Sequence, residues 1–232
     1  MTSKILEIFN LTKKYGDFVA VDGFNLSLEH GTVHGLVGPN GAGKSTMLSI
    51  ISGLRRKTSG EINFGLPQQE IMLMPDTPEF FGFLTARQIV DLARSPFLES
   101  VPEANIQKVL SDVGLSDAID KKVGGFSRGM KQRLGLATTI IGEPSLILLD
   151  EPCSALDPLG RHDVLEIVNK LKESATVLFS THILSDVETV CDSVTVVDHG
   201  KTLYEGTVNG ISSEDKTFED SVIELLRPSG VL

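Results

Sequence analysis

A glycine-rich segment ending in lysine and serine has the residue types needed to bind a chain of phosphates. It reads Gly38-Pro39-Asn40-Gly41-Ala42-Gly43-Lys44-Ser45, with Thr46 next, between a predicted strand (32–37) and a predicted helix (44–52). Glycines let consecutive backbone N–H groups turn inward at a helix N-terminus, where they attract anions. Lys44 would pair with the β- and γ-phosphates, and the Ser45 hydroxyl would hold Mg²⁺. A glycine-rich turn with an unrelated lysine is the alternative, but it does not explain this context.

Two acids at the end of an apolar run could complete such a site. The run Leu146-Ile147-Leu148-Leu149-Asp150-Glu151 predicts a buried strand that ends in two carboxylates. Asp150 could hold the metal, through water, and Glu151 could polarise an attacking water. Paired acids after a strand are more often only solvated. Because these follow a phosphate-binding segment, the pair favours nucleotide hydrolysis.

The segment before this strand narrows the choice of family. Phe126-Ser127-Arg128-Gly129-Met130-Lys131-Gln132-Arg133-Leu134 resembles the signature motif of ATP-binding-cassette (ABC) proteins, usually written L-S-G-G-Q. Ser127 and the Gly129 N–H at a predicted helix N-terminus would form a second anion site. Alone, S-x-G is most often a plain helix cap. The resemblance implies that this site grips the γ-phosphate held by the other cassette of a dimer.

Other segments match the same family over about residues 4 to 210. Ser154-Ala155-Leu156-Asp157 resembles the loop that crosses the dimer interface. His182 resembles the switch histidine that contacts the γ-phosphate and the attacking water. Tyr15, in Lys14-Tyr15-Gly16, resembles the aromatic residue that stacks on adenine, although an aromatic on a half-buried strand remains the alternative.

One position departs from the family in a way that bears on chemistry. Where the family has a glutamine that helps to hold Mg²⁺, this chain has Asp76. A carboxylate keeps an oxygen ligand for Mg²⁺, but about 4 Å from a phosphate oxygen it costs about 4 kcal/mol at an effective dielectric of about 20. We therefore predict slower hydrolysis or a displaced loop. Arg128 and Met130 replace the signature's first glycine and its glutamine, whereas Ser127 and Gly129 are retained.

Alternating strand and helix patterns predict an α/β fold with a largely parallel sheet covered on both faces. The resemblance implies a P-loop NTPase of the ABC type, with a RecA-like mixed sheet, an antiparallel β subdomain and an inserted helical subdomain. We place the catalytic ATP-binding core at residues 1–75 and 146–232 and the helical subdomain at 76–145. The predicted elements are strands at 4–9, 19–28, 61–64, 71–74, 177–180, 194–197 and 202–204, and helices at 85–94, 102–113, 127–141, 158–172, 185–188 and 218–226. Thr85–Gln88 and Ser185–Glu188 read as capping boxes, and Pro102 as a first-turn proline.

Composition limits the function classes. The chain has 232 residues, 31 acids and 21 bases, and a net charge of −10, so no nucleic acid is expected as the main partner. Cys153 and Cys191 lack metal-ligand spacing and fit a reduced cytosolic protein with two packed thiols. No signal peptide or run of about 20 apolar residues is present, so another chain is expected to cross the membrane.

The expected function is therefore an ATP-hydrolysing subunit, with Mg²⁺ as cofactor, that powers separately encoded permease subunits. The resemblance implies a second cassette, in a homodimer or heterodimer, and a place on the cytoplasmic face of the membrane. The sequence of the signature segment is similar to that of bacterial exporter cassettes for drugs, peptides or sodium. The helical subdomain and residues 76–83 would dock the permease, with Phe80, Phe81 and Phe83 as contacts or as core. The alternatives are a non-transport ABC ATPase and a low-turnover nucleotide-binding regulator.

Overall fold

The computed structural model describes residues 4–154, 156–212 and 216–227. The strands are β1 (Lys4–Tyr15), β2 (Phe18–Glu29), β3 (Val33–Val37), β4 (Ser59–Phe64), β5 (Ile71–Met74), β6 (Leu146–Asp150), β7 (Thr176–Thr181), β8 (Ser193–Asp198) and β9 (Lys201–Thr207). The helices are α1 (Lys44–Ile51), α2 (Ala86–Arg94), α3 (Ala104–Asp112), α4 (Arg128–Ile140), α5 (Pro158–Leu171), α6 (Leu184–Val190), α7 (Val208–Ile211) and α8 (Phe218–Leu226).

A six-stranded sheet carries the core. Its order is β5-β6-β7-β3-β8-β9, parallel except for the antiparallel edge strand β9. The strands β3, β6 and β7 are buried along their whole length, which fits parallel strands covered on both faces. Their carboxyl ends lie at one edge of the sheet, where the phosphate-binding segment, Asp150–Glu151 and His182 follow them. The α/β fold class is therefore confirmed.

The second sheet is antiparallel, in the order β2-β1-β4. Its strands β1 and β2 contribute Leu6, Leu11 and Phe24 to an apolar cluster shared with Leu48 of α1 and Leu148 of the larger sheet. The sequence pattern predicted a strand over residues 4–9 only. Register shifts along β1 break the alternation of buried and exposed residues, so the pattern did not extend to Tyr15. This sheet lies against α1 and so supports the phosphate-binding segment from the side.

Helices α2, α3 and α4 lie between β5 and β6 in the chain and pack on one another. The Thr85 capping box is confirmed, since its side chain accepts from the Gln88 N–H at 3.3 Å and the Gln88 side chain accepts from the Thr85 N–H at 2.9 Å. One apolar cluster runs from these helices to residues of β6 and β7, among them Leu149 and Phe179. The proposed boundaries at 75/76 and 145/146 remain predictions.

Two helix starts were predicted wrongly. Helix α3 begins at Ala104 with Glu103 as its cap, so Pro102 precedes the helix. Helix α6 begins at Leu184 without a side-chain cap, because Ser185 and Asp186 bond to Arg161 instead of to their own backbone. The contact with Arg161 of α5 thus replaces the capping hydrogen bonds that the local sequence pattern predicted. Helix α7, between β9 and α8, was not predicted.

No helix among the described residues is both long and apolar enough to cross a bilayer. Of the three phenylalanines near the helical segment, Phe81 and Phe83 are 64% and 69% exposed, with ring centroids 5.7 Å apart. Phe80 packs partly buried against the apolar cluster of the helices. Phe80 therefore belongs to the core, whereas a permease contact by Phe81 and Phe83 stays a prediction.

Candidate nucleotide-binding site

An open pocket of about 470 Å³ lies where the phosphate-binding segment meets the carboxyl edge of the large sheet. Its lining combines backbone of that segment with side chains that follow β5, β6 and β7. The lining residues are Phe18, Ala20, Asn40, Gly41, Ala42, Gly43, Lys44, Ser45, Thr46, Asp76, Glu151, Ser154 and His182. Residues from distant parts of the sequence therefore share one pocket.

The backbone of the phosphate-binding segment needs its glycines. Gly43, which caps α1, has φ +99°, and a Cβ there would lie 2.5 Å from the carbonyl oxygen of Ala20. A Cβ on Gly38 would lie 2.2 Å from the carbonyl oxygen of Val197. Only glycine satisfies both the left-handed conformation and the close approach. The segment can thus turn tightly into the start of α1, where the N–H groups of a helix N-terminus attract anions.

Lys44 is held at the floor of the pocket and is 5% exposed. Its ammonium donates to the carbonyl oxygens of Gly38, at 2.7 Å, and Pro39, at 3.2 Å. It also lies 3.1 Å from Oε1 of Glu151. An ammonium has three N–H donors, so these oxygens can occupy all of them. Pro39 and Gly38 thereby act through their carbonyls, although neither lines the pocket.

Glu151 occupies the centre of the polar groups that follow β6. It has φ +49°, an uncommon conformation for a residue with a side chain. Its backbone N–H donates to Ser180 in β7, to the carbonyl oxygen at 3.1 Å and to Oγ at 3.0 Å. Its carboxylate contacts Lys44 through Oε1 and Nδ1 of His182, at 2.6 Å, through Oε2. The Glu151 backbone is therefore held by β7, while its carboxylate bridges the Lys44 ammonium and the His182 imidazole.

Ser180 is a site residue that sequence analysis missed. It is fully buried, and its hydroxyl donates to Oδ1 of Asp150 at 2.7 Å, which orients that carboxylate. Its place directly before Thr181 and His182 at the end of β7 was the available signal.

Asp76 lines the pocket but is tied to its neighbours. Its carboxylate accepts a hydrogen bond from Ser154 Oγ and a long one, at 3.4 Å, from Thr77 Oγ1. Its carbonyl oxygen accepts from Nε2 of Gln132 in α4 at 2.9 Å, and Gln132 is buried. The Asp76 loop is thus linked both to the segment after β6 and to the helix that carries the signature residues.

The signature residues lie away from this pocket. Ser127 caps α4, where its Oγ accepts from the Met130 N–H at 3.2 Å, and its side chain is exposed. Neither Ser127 nor Gly129 is among the residues that line the pocket. The helix N-terminus that they form is directed to the surface of this chain.

The sequence also matches a known family. The model of the ABC transporter family matches residues 21–154, more than half of the chain and the part that holds Lys44, Ser127 and Glu151. This chain belongs to the ABC transporter family. Its membership confirms the resemblance, and the family model covers most of the residues that line the pocket.

Relatives over nearly the full length agree with this assignment to the ABC transporter family. The chain is 35% identical over 226 residues to the lantibiotic transport ATP-binding protein SrtF of Streptococcus pyogenes, covering 94% of this chain and 98% of the relative. It is 37% identical over 214 residues to the bacitracin transport ATP-binding protein BcrA of Bacillus licheniformis, covering 88% and 70%. A solved ATP-binding subunit of an ABC transporter superposes with a TM-score of 0.84 at 29% identity, covering 96% of this chain and all of that one.

The adenine-stacking residue proposed for this ABC transporter subunit lies beside the pocket and does not line it. Tyr15 is 41% exposed, with Lys13 Nζ 4.8 Å from its ring centroid and Arg55 Nη1 3.2 Å from its hydroxyl. The aromatic residue in the lining is Phe18, which is 65% exposed. Sequence analysis missed Phe18, and the role of Tyr15 stays a prediction.

The donor set fits Mg²⁺. Ser45 and Asp76 line the pocket and offer a hydroxyl and a carboxylate oxygen, and Asp150 offers a second carboxylate that is buried next to Glu151 and does not line the pocket. Within the described parts of the chain no cluster of three or more histidines, cysteines or acids could hold a metal. A Mg²⁺ ion at Ser45 and Asp150 would therefore share its coordination with phosphate oxygens and water.

Cys153 lies two residues after Glu151 and is buried and free. Burial, with the nearby Asp186 charge, raises the pKa of its thiol to about 12. Burial also raises the pKa of Cys191, whose thiol is free as well. Both side chains are therefore neutral packed thiols at physiological pH, not nucleophiles.

Proposed function

We propose that this chain binds Mg·ATP between its own pocket and the signature residues of a second cassette, hydrolyses it to ADP and phosphate, and thereby drives a permease made of other chains. The observation that carries the proposal is the position of the Glu151 carboxylate, between Lys44 at 3.1 Å and His182 at 2.6 Å, at the edge of the phosphate-binding segment. A general base must lie beside the phosphate that water attacks, and this carboxylate lies beside the lysine that would bind that phosphate.

The contacts of Lys44 suggest how binding prepares the site. A phosphate that enters the segment competes with Glu151 Oε1 for the Lys44 ammonium, because both are anionic oxygens. Release from Lys44 leaves Glu151 with His182 as its partner and with Oε1 free to accept a hydrogen bond from water. In the reaction, the water oxygen bonds to the γ-phosphorus, the bond to the β-γ bridging oxygen breaks, and Glu151 accepts the water proton. Bound Mg²⁺ would neutralise phosphate charge.

The second cassette is inferred from the surface position of Ser127 and Gly129. Ser127 and Gly129 do not line the pocket of their own chain. A phosphate can therefore contact both a pocket and these signature residues only if two chains associate. ATP held by both chains would then stabilise the closed dimer, and conversion to ADP would remove the bridging charge. A homodimer is the simplest such assembly.

The permease partner is supported by the exposed Phe81 and Phe83, since large exposed aromatic pairs mark interaction surfaces. The relatives named for lantibiotic and bacitracin transport support an exporter. The chain would sit at the cytoplasmic face of the membrane, held by its permease. Co-purification from solubilised membranes tests this part: recovery with ribosomes or DNA and not with a membrane protein would contradict it.

The hydrolysis is tested by measuring phosphate release at saturating Mg·ATP over a range of protein concentrations. We expect the rate to rise more steeply than linearly, because the active form is a dimer. Glu151→Gln should lower the rate by about 10²–10⁴ while ATP still binds, since the variant loses its proton acceptor. Glu173→Gln, an equal charge change at an exposed position, is the matched control.

A rate in Glu151→Gln equal to that of the parent chain would contradict the assigned base. ATP binding with no phosphate release by the parent would favour the low-turnover alternative that Asp76 suggests.

A further inference from the structure

The Arg161 side chain in α5 joins two helices that follow different parts of the site. Its Nε donates to Oδ1 of Asp186 at 2.5 Å, and its Nη2 donates to Oγ of Ser185 at 2.6 Å. Both acceptors lie in the first turn of α6, which starts just after His182. A planar guanidinium can hold two neighbouring acceptors in a fixed geometry, which a lysine ammonium does not do.

Asp186 depends on this contact more than a surface acid would. Its side chain is fully buried, and among the described residues its Oδ2 has no hydrogen-bond partner. Burial raises the pKa of this carboxyl, and the bond and charge of Arg161 act in the opposite direction. A buried carboxylate with one unpaired oxygen is costly, so Asp186 depends on the bond and charge that Arg161 supplies.

His182 is connected to this contact through a short turn. Strand β7 ends at Thr181, whose Oγ1 accepts from the Ile183 N–H at 2.9 Å, and α6 begins at Leu184. His182 therefore lies between one fixed end in the sheet and another end set by α6. Its ring is exposed, and the hydrogen bond described for it is the one to Glu151 at 2.6 Å. A shift of α6 would therefore move His182 relative to Glu151.

We propose that Arg161 is a positioning residue for His182: by holding Ser185 and Asp186 it fixes the first turn of α6, and so keeps the imidazole on the Glu151 carboxylate. The proposal rests on the catalytic role proposed above for Glu151 and His182, but its contacts belong to the single chain. Because α5 begins directly after its cap Asp157, at the end of the segment that resembles the interface loop, Arg161 also ties that segment to the switch histidine.

The test uses the ring signals of His182 in ¹H–¹⁵N spectra of the full chain, assigned with His182→Gln. These signals report the Nδ1 hydrogen bond and require neither hydrolysis nor a permease. Glu151→Gln, which alters that bond directly, gives the reference for a disturbed contact. We expect Arg161→Gln to move the His182 signals toward the positions in Glu151→Gln, and Ser185→Ala, at an exposed residue, to move them less in the same direction.

Lys170→Gln, the same charge change on an exposed residue of α5, is the matched control and should leave the signals in place. Unchanged His182 signals in folded Arg161→Gln, or in Ser185→Ala should Arg161→Gln fail to fold, would overturn the proposal. If the signals move while no variant, parent included, releases phosphate, the positioning role stands and the proposed hydrolysis fails.

A second measurement separates positioning from stability. Arg161→Gln with Asp186→Asn removes the buried charge that Arg161 compensated, so thermal stability should recover. The His182 signals should remain displaced, and turnover should stay roughly ten- to a hundredfold low with the ATP affinity unchanged. Restoration of both the signals and the turnover along with stability would show that Arg161 has only a structural role.

Discussion

The phosphate-binding segment and the signature segment each lie at a helix N-terminus, but the first lines a pocket and the second is exposed at the surface. Each is a helix N-terminus preceded by small residues, at α1 for one and at α4 for the other. The first lies in a pocket with a lysine that is only 5% exposed. The second has an exposed serine that caps its own helix and does not line that pocket.

This difference shows which half of the site one chain can supply. The charges of Lys44 and Glu151 and the helix dipole of α1 converge within the pocket, so we expect the isolated chain to hold ATP before a second cassette closes on it. At α4 the described part of the chain offers a helix N-terminus but no lysine contact like that of Lys44. The first half should therefore function in the isolated chain, and the second only on association.

Loss of Lys44 should have the larger effect. Lys44→Ala removes a buried charged donor to phosphate, worth ~1.5–3 kcal/mol, so we expect ATP to bind the isolated chain about 10- to 150-fold more weakly. Equilibrium titration with a fluorescent ATP analogue measures this. Lys108→Ala, at an exposed lysine, is the control and should bind as the parent does. Parent-like affinity in Lys44→Ala would mean that the two segments do not differ as described.

Gly129→Ala should act on turnover and not on binding by one chain. A Cβ on Gly129 would lie 3.8 Å from Leu156 Cδ2, an ordinary contact, so the variant fits its own chain. Alanine also favours the helix. A phosphate approaching from a second chain would meet the extra methyl, and such overpacking costs ~1–3 kcal/mol, so turnover should fall about 5- to 150-fold.

Phosphate release measures the turnover of Gly129→Ala, and the ATP titration shows whether binding to one chain is kept. Gly125→Ala is the matched control, because a Cβ there meets no described residue within 4 Å and Gly125 directly precedes the signature segment. Weaker ATP binding by the isolated Gly129→Ala chain would contradict the proposal that the signature residues act only on the ATP held by a second chain.

Much of this arrangement was predictable because it is local in sequence. The run from Gly38 to Ser45 needs its glycines for backbone reasons that the sequence already carries, and β6 ends at Asp150 as its apolar pattern predicted. The membership of the ABC transporter family and the α/β fold followed from the order of such segments. These features depend on residues that are neighbours along the chain.

The contacts that were missed join residues far apart along the chain. Ser185 and Asp186 fit a capping box as well as other sequences do, yet both bond to Arg161. Phe18 lines the pocket together with residues 40–46 and His182, which are distant in sequence, whereas Tyr15, its partner across the β1–β2 turn, does not. No local pattern contains such information, since it depends on how α5 and β2 are placed by the rest of the fold.

We expect the smallest effect on turnover at Asp76, which lines the pocket and also contacts the helix that carries the signature residues. Its carboxylate accepts from Ser154, and its carbonyl oxygen accepts from Gln132 in the signature helix at 2.9 Å. Asp76→Gln keeps an acceptor for Ser154 and removes a negative charge from the lining of a phosphate site. Full repulsion of about 4 kcal/mol would apply only at about 4 Å with a dielectric of about 20, and attraction for Mg²⁺ opposes it.

We therefore expect turnover in Asp76→Gln to rise only about two- to tenfold, a small part of that upper bound. Phosphate release at saturating Mg·ATP measures it, and Glu79→Gln, an exposed acid in the same loop, removes an equal charge as the control. An unchanged or lower rate in Asp76→Gln would show that the bond to Ser154, or Mg²⁺ binding, outweighs the repulsion. The link between the two halves would then require the carboxylate itself.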